Sequence, residues 1–265
     1  MHIVRRIRFY INHEKPQAEA EYARLRGLLR SLGLEECVDG SPEAVVVLGG
    51  DGTLLRAVHE FPDVPVLGLN LGGLGYLASV EGKDFERALG LLAKGAFQIS
   101  ERRLLAVNGR FPALNDIVIT RELTGHSTRL DLEADGRRVT SFLADGLIFA
   151  TPTGSTAYSL AAGGPVLMPD SDCFVMTPMN PHALSVRPLV VRDSVRFKVT
   201  AQPRAGGNRV KIGVYSDGEP VMELGAGMSL EIAKSPRTAR LVELDGYEPY
   251  GVLARKLGWS GSNVK

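Results

Sequence analysis

The feature that most constrains this chain is the pentapeptide Gly49-Gly50-Asp51-Gly52-Thr53, set directly behind the apolar run at residues 44–48. A short β-branched run, then glycines, then Leu54-Leu55-Arg56-Ala57-Val58 reads as strand, tight turn and helix. Glycine tolerates positive φ and lets a ligand come close to the backbone. The N–H groups that open the following helix suit phosphate oxygens. Asp51 departs from an ordinary anion cradle. A carboxylate among amides meant for phosphate is unfavourable unless it does chemistry there, and the fitting chemistry is acceptance of a proton from a hydroxyl about to be phosphorylated. The loop points to phosphoryl transfer without a P-loop lysine.

Composition narrows the setting. The 265 residues, 44% hydrophobic and 23% charged, fit one large domain or two modest ones. A net charge of +1 gives no sign of a general nucleic-acid or membrane-surface binder. No apolar run reaches the ~18 residues of a membrane span. Residues 1–8 lack the apolar core of a signal peptide, so a cytoplasmic protein is expected. Cys37 and Cys173 are far apart and form no disulfide framework, and His2, His13, His59 and His182 show no metal-ligand spacing.

Three alternating units open the chain. Residues 3–11 read as a strand, and residues 17–32 as a helix with Tyr22, Leu25, Leu28, Leu29 and Leu32 on one face and Gly33 at its C-cap. The strand–GGDGT–helix unit follows. The third is a strand at 64–70, the loop Leu71-Gly72-Gly73-Leu74-Gly75-Tyr76, and a helix near 84–94. Alternating strands and helices predict a Rossmann-like, doubly wound parallel sheet whose ligands sit at the carboxyl ends of the strands, where both glycine loops fall. Beyond about residue 95 the pattern becomes short β-type runs at close spacing, separated by turn signals such as Asp135-Gly136 and Asp217-Gly218. The expected organisation is an α/β domain over residues 1–103, a β-rich, β-sandwich-like domain over 104–235, and a tail, 236–265, that returns to a helical pattern and packs back on the first domain.

Residues 145–165 form a second constellation, DGLIFATPTGSTAYSLAAGGP. An apolar strand at 147–150 leads into a hydroxyl-rich turn, 151–156, and a short helix-prone stretch, 157–162. Ser and Thr can read an adenine edge or ribose hydroxyls, and small residues leave room for a ring. Helix capping favours the same residues, so the stretch alone does not separate the two uses. Asn115-Asp116, at the mouth of the run 117–120, is equally a turn signal and a ribose or adenine reader.

Together these motifs carry a resemblance. GGDGT, LNLGGLGYLA, LNDIVITR and DGLIFATPTGSTAYSLAAGGP, followed by PHALSVRPLVV and ARKLGWS, occur in an order and spacing similar to the bacterial NAD kinases, from about residue 45 through 259. GGDGT alone is shared with phosphofructokinases and with diacylglycerol and sphingosine kinases; the TPTGSTAY block with its Asn-Asp partner is far more specific. The resemblance implies transfer of the γ-phosphate of ATP, carried with Mg²⁺ or another divalent cation, to the 2′-hydroxyl of the adenosine ribose of NAD. Asp51 matches the family's catalytic acid. Gly50, Gly52 and Thr53 would shape the phosphate loop, with Arg56 one helical turn on.

For the dinucleotide, Asn115 and Asp116 match the pair that contacts the NAD ribose and adenine, although the family more often has Glu at the second position. Asp145 matches the residue that holds the nicotinamide-side ribose. Thr156, Ala157 and Tyr158 match the dinucleotide pocket, continued by Ser159, Leu160 and Ala161, and Tyr76 matches an aromatic of the second glycine loop. Departures fall at Ala161, where many members have Ser or another polar residue; at Leu143, where some NAD-selective members have a polar one; and at Glu219, near a frequent Gln. His126 matches a polar contact position loosely. These positions bear on NAD versus NADH preference rather than on the reaction class. Two other readings are a non-catalytic NAD(P)-binding sensor and a lipid or sugar kinase of the GGDGT superfamily; Asp51 argues against the first and the TPTGSTAY block against the second. NAD and ATP are the expected partners, with no nucleic acid and no membrane, and edge strands predict a homo-oligomer, dimer or tetramer.

Overall fold

The computed structural model describes residues 3–73, 75–78, 80–121, 128–183, 185–202 and 211–259. The chain divides into two compact units, Met1–Glu101 with Ala239–Lys265, and Arg102–Thr238.

The first unit is built as βα repeats. Strand β1 (Arg6–Ile11) leads into α1 (Pro16–Leu32), whose end is closed by Gly33 at φ 71°. After β2 (Glu35–Glu36), β3 (Ala44–Gly49) feeds α2 (Asp51–Glu60), and β4 (Val66–Asn70) is followed by β5 (Val80–Glu81) and α3 (Phe85–Lys94). The order β4-β3-β1-β2 is parallel throughout, and both β3 and β4 are buried along their whole length. Burial on two faces explains their near-continuous apolar sequence. One face carries α1 and α3, with Leu25, Leu29, Leu89 and Leu92 packed on Ile7, Phe9, Val46, Leu48, Leu67 and Leu69. Helix α2 covers the other face, where Leu54 lies so close to Gly68 that a Cβ there would meet its Cδ1 at 2.7 Å.

The second unit is antiparallel β. Its strands are β6 (Phe97–Val107), which begins in the first unit, β7 (Phe111–Ala113), β8 (Asp116–Arg121), β9 (Thr128–Ala134), β10 (Arg137–Ala144) and β11 (Gly146–Ala150). A single helical turn, α4 (Tyr158–Ala161), precedes β12 (Cys173–Met179), β13 (Leu189–Arg192), β14 (Phe197–Ala201), β15 (Ile212–Ser216), β16 (Glu219–Leu224) and β17 (Ser229–Leu244). One sheet has the order β13-β12-β11-β8-β15-β16, and the other places β10, β9, β14 and the first part of β17 side by side. Their inner faces share a core in which Ile119, Phe149, Phe174 and Val214 of the first sheet meet Leu132, Phe142, Phe197 and Ile232 of the second. Phe149 and Phe197 pack with ring centroids 5.0 Å apart. The sandwich is the β-rich architecture expected from sequence, beside the expected doubly wound α/β sheet.

The last part of β17 belongs to the first unit, where Leu241 pairs with Val66 in parallel, and α5 (Pro249–Leu257) closes the described chain. Strand β17 continues through Pro236, with Ser235 Oγ accepting the N–H of Arg237 beside it.

Candidate active site

Three loops leave the carboxyl ends of the adjacent strands β1, β3 and β4 in the first unit. The middle one carries GGDGT. Helix α2 starts at Asp51 itself, three residues earlier than the apolar pattern indicates, so the carboxylate sits in a first helical turn. Its own helix is not its main partner. Asp51 Oδ2 accepts the N–H of Tyr76 at 2.9 Å, and Oδ1 accepts those of Leu77 at 3.1 Å and Ala78 at 2.9 Å. An aspartate among anion-binding glycines is thus stable because a second loop supplies it with amides.

That loop is held in turn by Asn70, whose Oδ1 accepts the Gly72 N–H at 2.8 Å while Nδ2 donates to Gly73 O at 2.7 Å and Ala78 O at 3.1 Å. Gly75 makes the close approach possible. A Cβ there would run into Asp51 Oδ1, and would lie 2.6 Å from Ala78 O and 2.8 Å from Asn70 Nδ2. Thr53 is buried against Gly49, Gly52 leaves open space, a Cβ at Gly50 would meet only Lys15 Nζ at 3.9 Å, and Arg56 is exposed on α2. Tyr76 is half-buried, with Lys256 Nζ 5.1 Å from its ring centroid; burial first, and then the charge of Asp51, pushes its phenol pKa up.

The second unit assembles its own cluster around residues 114–116. Asp217, in the turn between β15 and β16, accepts three backbone N–H groups: Leu114 at 2.7 Å, Asn115 at 2.7 Å and Asp116 at 3.1 Å. Thr151 anchors the same segment from the other side, donating its N–H to Asn115 O at 2.9 Å and its hydroxyl to Leu114 O at 2.5 Å. Gly154 lies against Asn115 so closely that a Cβ would overlap its backbone. With its backbone fully engaged, Asn115 keeps a side-chain amide that makes no hydrogen bond among the described residues. Asp116 is buried and receives the Tyr158 N–H; desolvation, then the charge of Asp217, raises its pKa from 3.8 to about 7.

The hydroxyl-rich turn separates into internal and outward groups. Ser155 and Ser159 are internal: Ser155 Oγ bridges Pro152 O and the Leu167 N–H, and Ser159 Oγ pairs with Thr177 Oγ1 at 2.8 Å. Thr151 Oγ1 accepts the Gly154 N–H, which closes the turn as a capping group. Thr156, Ala157 and Leu160 are partly exposed, Ala161 is exposed, and Tyr158 has 45% of its surface open. Asp145 pairs with Arg121 at 2.6 Å and accepts the Asn180 amide at 3.0 Å. Leu143, 39% exposed, and Glu219 lie at the surface of the same unit, and His126 lies outside the described residues.

Family models match both parts of the chain: the ATP-NAD kinase N-terminal domain over residues 11–97 and the ATP-NAD kinase C-terminal domain over residues 114–244. The chain belongs to the NAD kinase family. The NAD kinase of Syntrophotalea carbinolica is 38% identical over 84% of this chain and 80% of its own length. That of Symbiobacterium thermophilum is 40% identical over 82% of this chain and 79% of its own. Among solved structures, yeast NADH kinase complexed with NADH shares the fold with a TM-score of 0.87 at 24% identity, over 99% of this chain and 89% of that one. The NAD kinase of Archaeoglobus fulgidus, solved with ATP, gives 0.78 at 25% identity over 97% and 99%.

Within that family framework, the structure adds groups that the motif reading passed over. Asn70 and Gly75 shape the loop whose amides reach Asp51 across 25 residues of sequence, and Asp217 holds Asn115-Asp116 from more than 100 residues away. Asp217 was visible in sequence only as a turn signal. Lys15, in the loop after β1, was not visible as a site residue at all.

Proposed function

We propose that this chain transfers the γ-phosphoryl group of ATP to the 2′-hydroxyl of the adenosine ribose of NAD, giving NADP. The observation that carries the reading is the fixation of Asp51: one carboxylate at the carboxyl edge of a parallel sheet, held by three backbone amides. Each carboxylate oxygen has more than one acceptor site, so a hydroxyl can still donate to it beside the amides. Asp51 takes the proton of the 2′-hydroxyl as that oxygen bonds to the γ-phosphorus. The bond from γ-phosphorus to the bridging oxygen breaks, and ADP leaves. The fixed aspartate argues for turnover rather than sensing, because a binder gains nothing from it.

The dinucleotide is read by the second unit. The unengaged amide of Asn115, the carboxyl of Asp116, Asp145, and the exposed stretch Thr156, Ala157, Tyr158, Leu160 and Ala161 are the contacts, and Leu143 and Glu219 tune the choice between NAD and NADH. Ser159 supports that surface from inside. Gly50, Gly52, Thr53, Arg56 and Tyr76 serve the phosphate side.

Mg²⁺ fits this donor set. Among the described residues no group of three or more His, Cys, Asp or Glu could cage a metal. Magnesium needs only one or two carboxylates when phosphates and waters complete its shell. The phosphates of ATP would carry the ion and it would neutralise their charge, which leaves Asp51 free to act as the base. No described helix is long and apolar enough to cross a membrane. The same reading places the protein in the cytoplasm as a dimer or tetramer. Self-association is supported by edge strand β13, where Leu189 and Val190 are exposed. Incubating the purified protein with Mg-ATP and NAD tests the proposal directly: NADP should accumulate with one ADP per turnover, and its absence under those conditions refutes the reading.

A further inference from the structure

The loop that leaves β1 brings a cation to the two glycine loops. Lys15 Nζ lies 3.9 Å from the position a Cβ would take at Gly50 and 3.5 Å from that at Gly72, so the ammonium stands over both loops at once. Its root is fixed. Asn12 N–H donates to Leu48 O at 3.0 Å, Asn12 Oδ1 accepts the Glu14 N–H, Lys15 N–H donates to Asn12 O at 3.1 Å, and Lys15 O accepts the Ala18 N–H at 2.9 Å. Pro16 then starts α1, and Gln17 Nε2 ties that start to Leu71 O at 2.9 Å.

The ammonium makes no ion pair among the described residues. The acid in the first turn of α1, Glu19, is engaged with His13, and Asp51 is engaged with three amides. A half-buried lysine on a hydrogen-bonded backbone, with no counter-charge among the described residues, is held for an anion that arrives. The glycines beneath it let that anion reach the backbone, and Gly52 and Gly73 leave open space on either loop.

We infer that Lys15 binds the triphosphate of ATP between the GGDGT loop and the second glycine loop, supplying the cation that a P-loop lysine supplies elsewhere. The inference rests on the kinase reading above and names a phosphate-binding residue for it.

Lys15→Met and Lys15→Arg test it in steady-state kinetics with Mg-ATP and NAD, alongside calorimetric titration of the non-hydrolysable analogue adenylyl imidodiphosphate. Lys15→Met should raise KM for ATP and Kd for the analogue at least tenfold, leave KM for NAD and the melting temperature unchanged, and Lys15→Arg should recover most of the loss. An unchanged KM for ATP and Kd in a normally folded Lys15→Met overturns the inference while the kinase reading stands. A wild-type protein that forms no NADP refutes the kinase reading; the analogue titration then still decides on Lys15, because loss of binding in Lys15→Met supports the phosphate role, and equal binding or none in the wild type overturns it.

Discussion

Substituting Gly75 by alanine probes the contact on which Asp51 depends. The new Cβ would lie 2.6 Å from Ala78 O and 2.8 Å from Asn70 Nδ2, with Asp51 Oδ1 nearer still, whereas ordinary van der Waals contact begins at 3.4 Å. None of the three neighbours is the far end of a long, flexible chain. Oδ1 must therefore retreat by on the order of 1 Å, and a displacement of that size at a reacting group costs about 100-fold in rate. Moving Oδ1 also breaks its bonds from the Leu77 and Ala78 N–H groups. At about 1.5 kcal/mol each for hydrogen bonds to a charged acceptor, the native state loses about 3 kcal/mol. Urea denaturation and initial rates of NADP formation read both effects. Gly82→Ala is the control, since a Cβ there meets nothing within 4 Å; it should keep stability and rate within about twofold of wild type. A Gly75→Ala protein with wild-type rate and stability would refute the idea that the second glycine loop positions the aspartate.

The remaining predictions concern the second unit. Asp116 has its pKa raised to about 7, so between about pH 4 and 7 the native state keeps a proton that the unfolded chain has released. Stability should fall as pH rises through that window, by up to about 4 kcal/mol, and level off above it; Asp116→Asn should flatten the curve, and an equally steep curve in the variant shows that another group titrates. Gly154→Ala forces the turn off the Asn115 backbone; KM for NAD should rise at least tenfold with KM for ATP little changed, and equal effects on both would show that the turn does not serve dinucleotide binding alone.

Much of this arrangement is local and was legible. The apolar period of α1 and its Gly33 stop, the continuous runs of β3 and β4, and the glycine loops behind them follow from chain-neighbour chemistry. Asp51 stood out because its charge conflicts with its loop. Its partners did not, since Tyr76, Leu77 and Ala78 offer only backbone N–H groups, which every non-proline residue carries. Lys15 was hidden for a topological reason: only the strand order, with β1 beside β3 and β3 beside β4, brings its loop to the other two. Asp217 read as an ordinary hairpin residue, with φ at 49°, because the hairpin uses it so; its second task depends on a segment about 100 residues earlier.

The central claim is that Asp51 accepts the proton of the ribose hydroxyl, and Asp51→Asn tests it most directly. The amide side chain retains one acceptor oxygen for the loop amides but cannot take up the proton. The rate of NADP formation should fall at least ~100-fold, while NAD and NADP still raise the melting temperature as in the wild type. Turnover at the wild-type rate in a folded Asp51→Asn protein would contradict the account.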